Sequence, residues 1–281
     1  MRERMGILLK FWGTRGSIAI SHEQCKEFGG NTSCVSVETN DHLFIFDMGT
    51  GLRDLGLWMM QNAKKKAHIF VSHLHYDHVI GFPFFQPAWT PDFHIDIFAP
   101  CTKNSGSVEN FFNNLLMSPP LFPIDYKDLN SKKKLHESRE GLILELNNDE
   151  KIRVHGITLN HPGGCIGYRL DINDHSICYI SDHEHGTTSV DEKLAKAIQG
   201  ADVMIYDATF TPEEYLNKKG WGHSTYTEGI ELAHKAGIKK LYLFHHDPSH
   251  DDLHLKKIEE DAKKIWPQVE MARQGKSHKI K

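Results

Sequence analysis

The densest chemistry in the chain lies in six residues, His73-Leu74-His75-Tyr76-Asp77-His78, which follow a short apolar run and Ser72. Two histidines two apart on extended chain point to the same side, so both imidazoles can reach one cation. The chain then turns, and Asp77 with His78 can serve a second cation close by. Three imidazoles and a carboxylate are nitrogen and oxygen donors suited to zinc, iron or manganese. One segment cannot close two metal sites, and further donors stand where later strands are expected to end. They are His161 in Asn160-His161-Pro162-Gly163-Gly164, Asp182 in Ser181-Asp182-His183, and His245 or His246 after the apolar run 241–244. Taken singly, a strand-end His or Asp is more often a capping or turn residue than a ligand. Their common place at strand ends, where α/β scaffolds gather functional groups, favours the ligand reading.

The elements that must position these donors follow from pattern. Strands are expected at 7–12, 33–38, 42–46 and 68–71, with a helix at 52–63 that Thr50 can cap and that Lys64-Lys65-Lys66 closes favourably for its dipole. Residues 82–140 read as an irregular insertion, rich in Phe82, Phe84, Phe85, Trp89 and Phe93 and in prolines, with a helix near 108–116. Strands return at 141–146, 151–159, 167–172 and 176–180, then alternate with helices: helix 191–199, strand 203–206, helix 225–236, strand 241–244, helix 251–265. Alternation in both halves calls for sheets flanked by helices.

The 281 residues carry a net charge of −4 and 39% hydrophobic residues, enough for a real core and without the basic excess of a polyanion binder. The 20 histidines are scattered rather than gathered in a tag. The five cysteines, Cys25, Cys34, Cys101, Cys165 and Cys178, form no CxxC pair and read as reduced thiols of a cytosolic protein. The opening residues do not have the form of a signal peptide, and no apolar stretch approaches a membrane span. The expected location is therefore cytoplasmic.

His73-x-His75-x-Asp77-His78, His161, Asp182 and a late strand-end histidine together resemble the ligand series of the metallo-β-lactamase superfamily, over 7 to about 248. The resemblance implies an α/β fold: an αβ/βα four-layer sandwich with the metal site at one edge of its two sheets. It is read as one domain over 1–281 with the insertion at about 82–140. It implies that His73, His75 and His161 hold one metal, that Asp77, His78 and the late histidine hold the other, and that Asp182 bridges them. Adjacent side chains on a strand alternate, so only one of His245 and His246 can face the metals. Relatives place the ligand directly after the strand, which favours His245 and leaves His246, His183 and His185 as neighbours. Asp47 matches the family's first acid, thought to be structural.

Two cations about 3.5–4 Å apart can acidify a bridging water and neutralise charge on a phosphoryl oxygen. An Asp rather than a Cys at 182 speaks against antibiotic hydrolysis, and the first motif lacks the Glu that marks di-iron reductases. Asp207-Ala208-Thr209-Phe210 and Gly222-His223-Ser224-Thr225 resemble segments of the RNase Z branch, which implies that His223 protonates the leaving oxygen and that Asp207 orients it. An alkoxide leaves poorly enough for such a donor to matter. The other reading of 222–225 is a helix start capped by Ser224. The segments 11–17 and 29–33 resemble a bacterial branch described as cyclic-nucleotide-phosphodiesterase-like. Arg15, in the first of them, is open to three readings, a phosphate contact, a solvent-facing side chain or a structural role. Between His161 and Asp182 there is room only for a hairpin, not for the arm with which RNase Z relatives grip tRNA, and Lys132-Lys133-Lys134 reads as a solvated loop.

The expected function is a dinuclear metal-dependent phosphodiesterase, a hydrolase acting through a metal-bridging hydroxide on a small cyclic nucleotide or cyclic phosphate. Two divalent ions are its expected cofactors, zinc first, with manganese or iron acceptable. Its expected partner is a small-molecule phosphodiester, not a membrane or a large nucleic acid, and the aromatic insertion and relatives together suggest a homodimer. The aromatics of 82–93 are open to two readings, stacking on a base or internal packing. The alternatives are an RNase Z-like RNA 3′-end endonuclease, a thioesterase of the glyoxalase II type, in which the His223–Asp207 pair would lack a task, and a ligand-binding sensor. The intact ligand set counts against the sensor.

Overall fold

Strand β1 (Ile7–Gly13) buries Ile7, Leu9 and Phe11 at alternate positions, the period of extended chain. The computed structural model describes residues 6–101, 106–147 and 149–280. β1 pairs antiparallel with β2 (Cys34–Glu38), and β2 with β3 (Leu43–Phe46). From β3 the sheet runs on in parallel through β4 (Lys66–Phe70), β5 (His94–Pro100) and β6 (Lys132–Ser138). The second sheet opens antiparallel with β7 (Gly141–Asn147), β8 (Lys151–Leu159), β9 (Cys165–Ile172) and β10 (His175–Ile180). It turns parallel through β11 (Val203–Asp207), β12 (Lys240–Phe244) and β13 (Val269–Met271). β14 (Ser277–Ile280) returns beside β1, so each sheet has seven strands among the described residues.

Parallel neighbours need crossovers, and helices supply them. They are α1 (Gly51–Gln61), the short α2 (Tyr76–Val79) and α3 (Val108–Asn110), which runs on as a π-helical segment Phe111–Leu116, then α4 (Thr188–Ala197), α5 (Pro212–Tyr215), α6 (Tyr226–Ala236) and α7 (Asp252–Ile265). One core lies between the sheets, where Phe46 of β3 stacks on Tyr179 of β10 at 5.3 Å. A second packs α1 and the aromatic segment against the outer face of the first sheet, and a third packs α4, α6 and α7 against the second. Helix, sheet, sheet, helix is the αβ/βα sandwich expected from the sequence.

The structure departs from the sequence reading in several places. The stretch 82–140 is not irregular throughout, because β5 and β6 extend the first sheet from within it. Phe82, Phe85 and Phe93 are buried there, so packing rather than base stacking is their fate, while Phe84 stays 60% exposed. Lys132-Lys133-Lys134 is not a loop but the start of the edge strand β6, where lysines discourage further strand pairing. Thr50 makes no capping bond to α1; its hydroxyl accepts from the Thr32 amide and donates to Asn31. Thr225, not Ser224, caps α6. Four cysteines are buried and Cys101 is half-buried, all unpaired. Among the described residues no helix is long and apolar enough to cross a membrane.

Candidate metal centre

Asp47, Asp182 and His245 stand just beyond β3, β10 and β12, and each has a left-handed backbone, with φ of 61°, 56° and 61°. Asp and His enter that region more readily than most residues, and such strain gathers at functional sites. The first histidine motif follows β4, with Asp77 and His78 in the single turn of α2. His161 lies two residues beyond β8, and Asp207 ends β11. Both sheets thus send donors to one place.

Two sets of donors converge there. His73, His75 and His161 form one, with His161 Nε2 3.2 Å from His75 Nδ1. Asp77, His78 and His245 form the other: the Nε2 atoms of the two histidines are 3.3 Å apart, and Asp77 Oδ2 is 3.2 Å from each. Asp182 faces both sets. Its Oδ1 lies 3.8 and 3.9 Å from His73 and His161 Nε2, and its Oδ2 lies 3.2 and 3.4 Å from His78 and His245 Nε2. His246, by contrast, turns away and donates from Nε2 to the Ala272 carbonyl. His183 pairs with Asp191 and His185 with Ser224, both outside the sets.

The second nitrogen of four of these rings is also held, which fixes ring orientation. His73 Nδ1 meets Ser72 Oγ at 3.0 Å, His78 Nδ1 meets Asp47 at 2.7 Å, His161 Nδ1 meets the Gly222 carbonyl at 2.8 Å, and His245 Nδ1 meets Thr209 Oγ1 at 3.0 Å. Asp47 also accepts from the Ser72 amide and hydroxyl and from the Tyr179 hydroxyl. Ser72, Tyr179 and Thr209 escaped sequence reasoning; only Thr209, inside a quoted motif, carried a signal. Arg15 is buried and donates to the carbonyls of Gly29, Asp247 and His250, so it is a structural brace and not a phosphate contact.

The electrostatics fit a cation. Among the described residues no Lys or Arg pairs with the buried Asp47, Asp77, Asp182 or Asp207; the only basic side chains that pair with them are imidazoles. Such a cluster of carboxylates is costly to bury without positive charge. His73 Nε2 is buried and has no hydrogen-bond partner, which suits a nitrogen kept for a metal. Burial pushes His73 well down and His75 and His161 down, favouring the neutral imidazole that a metal requires. Burial opposes charge on His78 too, but Asp77, Asp182 and Asp47 push it well above its usual range.

His223, in the loop before α6, places Nδ1 2.8 Å from Asp207 Oδ2 and 3.7 Å from Asp182 Oδ1. Burial disfavours its charge, yet Asp207 beside it raises its pKa to about 9, so the ring is a proton carrier at neutral pH. A cavity of about 630 Å³, lined by His161, His185, Tyr215 and Lys219 among others, opens alongside.

Facing sheets flanked by helices, with a buried His/Asp cluster at the strand ends, define a metal-dependent hydrolase of the αβ/βα sandwich class. The family model described as the Beta-lactamase superfamily domain matches residues 42–246. The chain is 24% identical to the Ribonuclease Z of Ligilactobacillus salivarius (strain UCC118), over 86% of this chain and 89% of that one. It is 24% identical to the Ribonuclease Z of Haloarcula marismortui, over 86% of each. Among solved structures, the metallo-beta-lactamase fold protein YhfI from Bacillus subtilis superposes with a TM-score of 0.71 at 17% identity, covering 98% of this chain and 99% of that one. Human tRNase Z, short form, gives 0.71 at 19% identity with the same coverage, and a diphosphatase of the PhnP family gives 0.68 at 17% with 98% of each. The chain belongs to the beta-lactamase superfamily, whose members characteristically hold divalent metal ions.

Proposed function

We propose that the chain is a dinuclear metal-dependent phosphodiesterase acting on a small substrate, a cyclic nucleotide or cyclic phosphate. His73, His75 and His161 would hold one divalent ion, Asp77, His78 and His245 the second, and Asp182 would serve both, with zinc first and manganese or iron according to supply. When bound, such a pair offsets charge on phosphoryl oxygens and acidifies nearby water. The observation that carries the diester reading is the His223–Asp207 pair, placed against Asp182. Asp207 takes Nδ1, and among the described residues nothing bonds to Nε2, which is left to deliver a proton to a departing alkoxide. A thiolate departs without such help, so a thioesterase would leave the pair idle.

Two features support a small substrate. β9 and β10 are joined by the two residues Asn173 and Asp174, leaving no room for an arm between His161 and Asp182. The adjoining cavity of about 630 Å³ is nucleotide-sized. The name Ribonuclease Z borne by the sequence relatives favours a second reading, an RNA 3′-end endonuclease, and stands partly against the expectation that a large nucleic acid is excluded. A homodimer belongs to the proposal as well, since Tyr76, Ile80 and Phe84 near the cluster are exposed and apolar. The test is turnover of metal-loaded protein on 2′,3′-cyclic and 3′,5′-cyclic nucleotides, cyclic dinucleotides and precursor tRNA. The reading expects a cyclic substrate to lead by at least tenfold in kcat/KM, with His223→Ala lowering that value by about 10²–10⁴. Precursor tRNA in the lead would establish the second reading instead.

A further inference from the structure

Glu184 is two residues past Asp182, buried, and, among the described residues, without a lysine or arginine partner. Three donors surround its carboxylate. Oε1 accepts from the Gly220 amide at 2.6 Å and from the Tyr215 hydroxyl at 3.0 Å, and Oε2 accepts from the Gly222 amide at 2.8 Å. Its own backbone is tied on both sides to Asn160, the residue before His161: the Glu184 amide donates to the Asn160 carbonyl, and the Asn160 side chain donates to the Glu184 carbonyl, both at 2.8 Å. The turn that it grips does two things. The Gly222 carbonyl accepts from His161 Nδ1, and the next residue is His223. Gly222 has φ of +88°, and a Cβ there would lie 2.3 Å from His161 Nδ1, so the turn presses on that ring and cannot be rebuilt with another residue. Trp221 between the glycines is 61% exposed and offers the turn little anchorage of its own.

We propose that Glu184 is a positioning residue, whose carboxylate holds the 220–223 turn and through it the His223 ring. The His223 half of this role rests on the phosphodiesterase reading; the grip on the turn does not. Two amide donors on two carboxylate oxygens make a specific demand. Glutamine is the same size, but its amide nitrogen would confront one glycine N–H, donor against donor, so Glu184→Gln should not substitute for the native residue.

The experiment compares Glu184→Gln with the wild type by amide hydrogen exchange and by turnover, with His223→Ala and the double variant alongside. The expected result is exchange at least tenfold faster at Gly220 or Gly222, confined to 219–224, with the melting temperature within a few degrees of wild type. In turnover, kcat should fall at least tenfold more on a cyclic nucleotide, whose alkoxide needs a proton, than on bis(p-nitrophenyl) phosphate, whose nitrophenolate does not. The double variant should lose no more than His223→Ala alone. Unchanged exchange across 219–224 would overturn the proposal, and so would equal losses on both substrates that add to those of His223→Ala. If the wild type cleaves no phosphodiester, the phosphodiesterase reading fails by itself, and the two glycine amides still decide whether Glu184 holds the turn.

Discussion

At the scale of residues, the site depends on close approach as much as on donor chemistry. Gly16, in the loop after β1, sits where a Cβ would come within 2.4 Å of the His245 ring, while the neighbouring Ser17 amide donates to Asp77 Oδ2 at 2.7 Å. Gly16→Ala is therefore expected to displace His245. We predict a stability loss of about 1–3 kcal/mol and a fall of roughly 10–100-fold in affinity for one of two metal equivalents, read by calorimetric titration with Zn²⁺. An unchanged titration would mean that His245 does not serve the second ion. The donors themselves were legible in the sequence because His and Asp at strand ends are conspicuous. Their supports were not: Tyr179 reaches Asp47 from 132 positions away, and Glu184 meets glycine amides 36 and 38 positions on. Contacts of that range leave no periodic trace, and Ser, Thr and Tyr have commoner uses.

At the scale of elements, most strands and helices could be placed from hydrophobic period and cap residues, whereas four strands could not. β5 and β6 hide in a stretch whose aromatics and prolines read as irregular, and their pairing is parallel, so no hairpin signal marks them. β13 and β14 have three and four residues, too few for a pattern to emerge. β13 owes its place partly to α7: Glu259 of that helix accepts from the Met271 amide at 3.0 Å and from Arg273 at 3.0 and 2.6 Å. Burial works against the carboxylate charge, but these bonds bring its pKa down from 4.5 to about 2. A folded pKa below the unfolded one gives stability that is present above pH 4.5 and lost as the pH falls towards 2. Glu259→Gln should cost roughly 1–2 kcal/mol at neutral pH, after allowance for solvent screening. It should also flatten the decline in melting temperature between pH 5 and about 2. A variant that tracks the wild type through that range would show that the pair contributes nothing to the anchoring of β13.

At the scale of the molecule, the cluster lies on the seam of the sandwich. Asp47 and the 73–78 motif come from the first sheet, and His161, Asp182, Asp207 and His245 come from the second. Neither half holds a complete set: the first lacks His161 and His245, and the second lacks the histidine motif. That division was readable in outline, since donors recur after strands in both halves of the sequence. The choice between His245 and His246 needed the backbone, where φ of 61° turns the first ring into the cluster. Asp182, with one oxygen towards each set, is the residue on which the proposed two-ion centre would depend. The most direct test is hydrolysis of bis(p-nitrophenyl) phosphate by wild type and Asp182→Ala, at measured equivalents of Zn²⁺ or Mn²⁺. We predict wild-type turnover that rises up to the second equivalent, and a loss of at least about 10²-fold in Asp182→Ala. Wild-type rates in Asp182→Ala, or thioester cleavage without diester cleavage at two bound equivalents, would contradict the account.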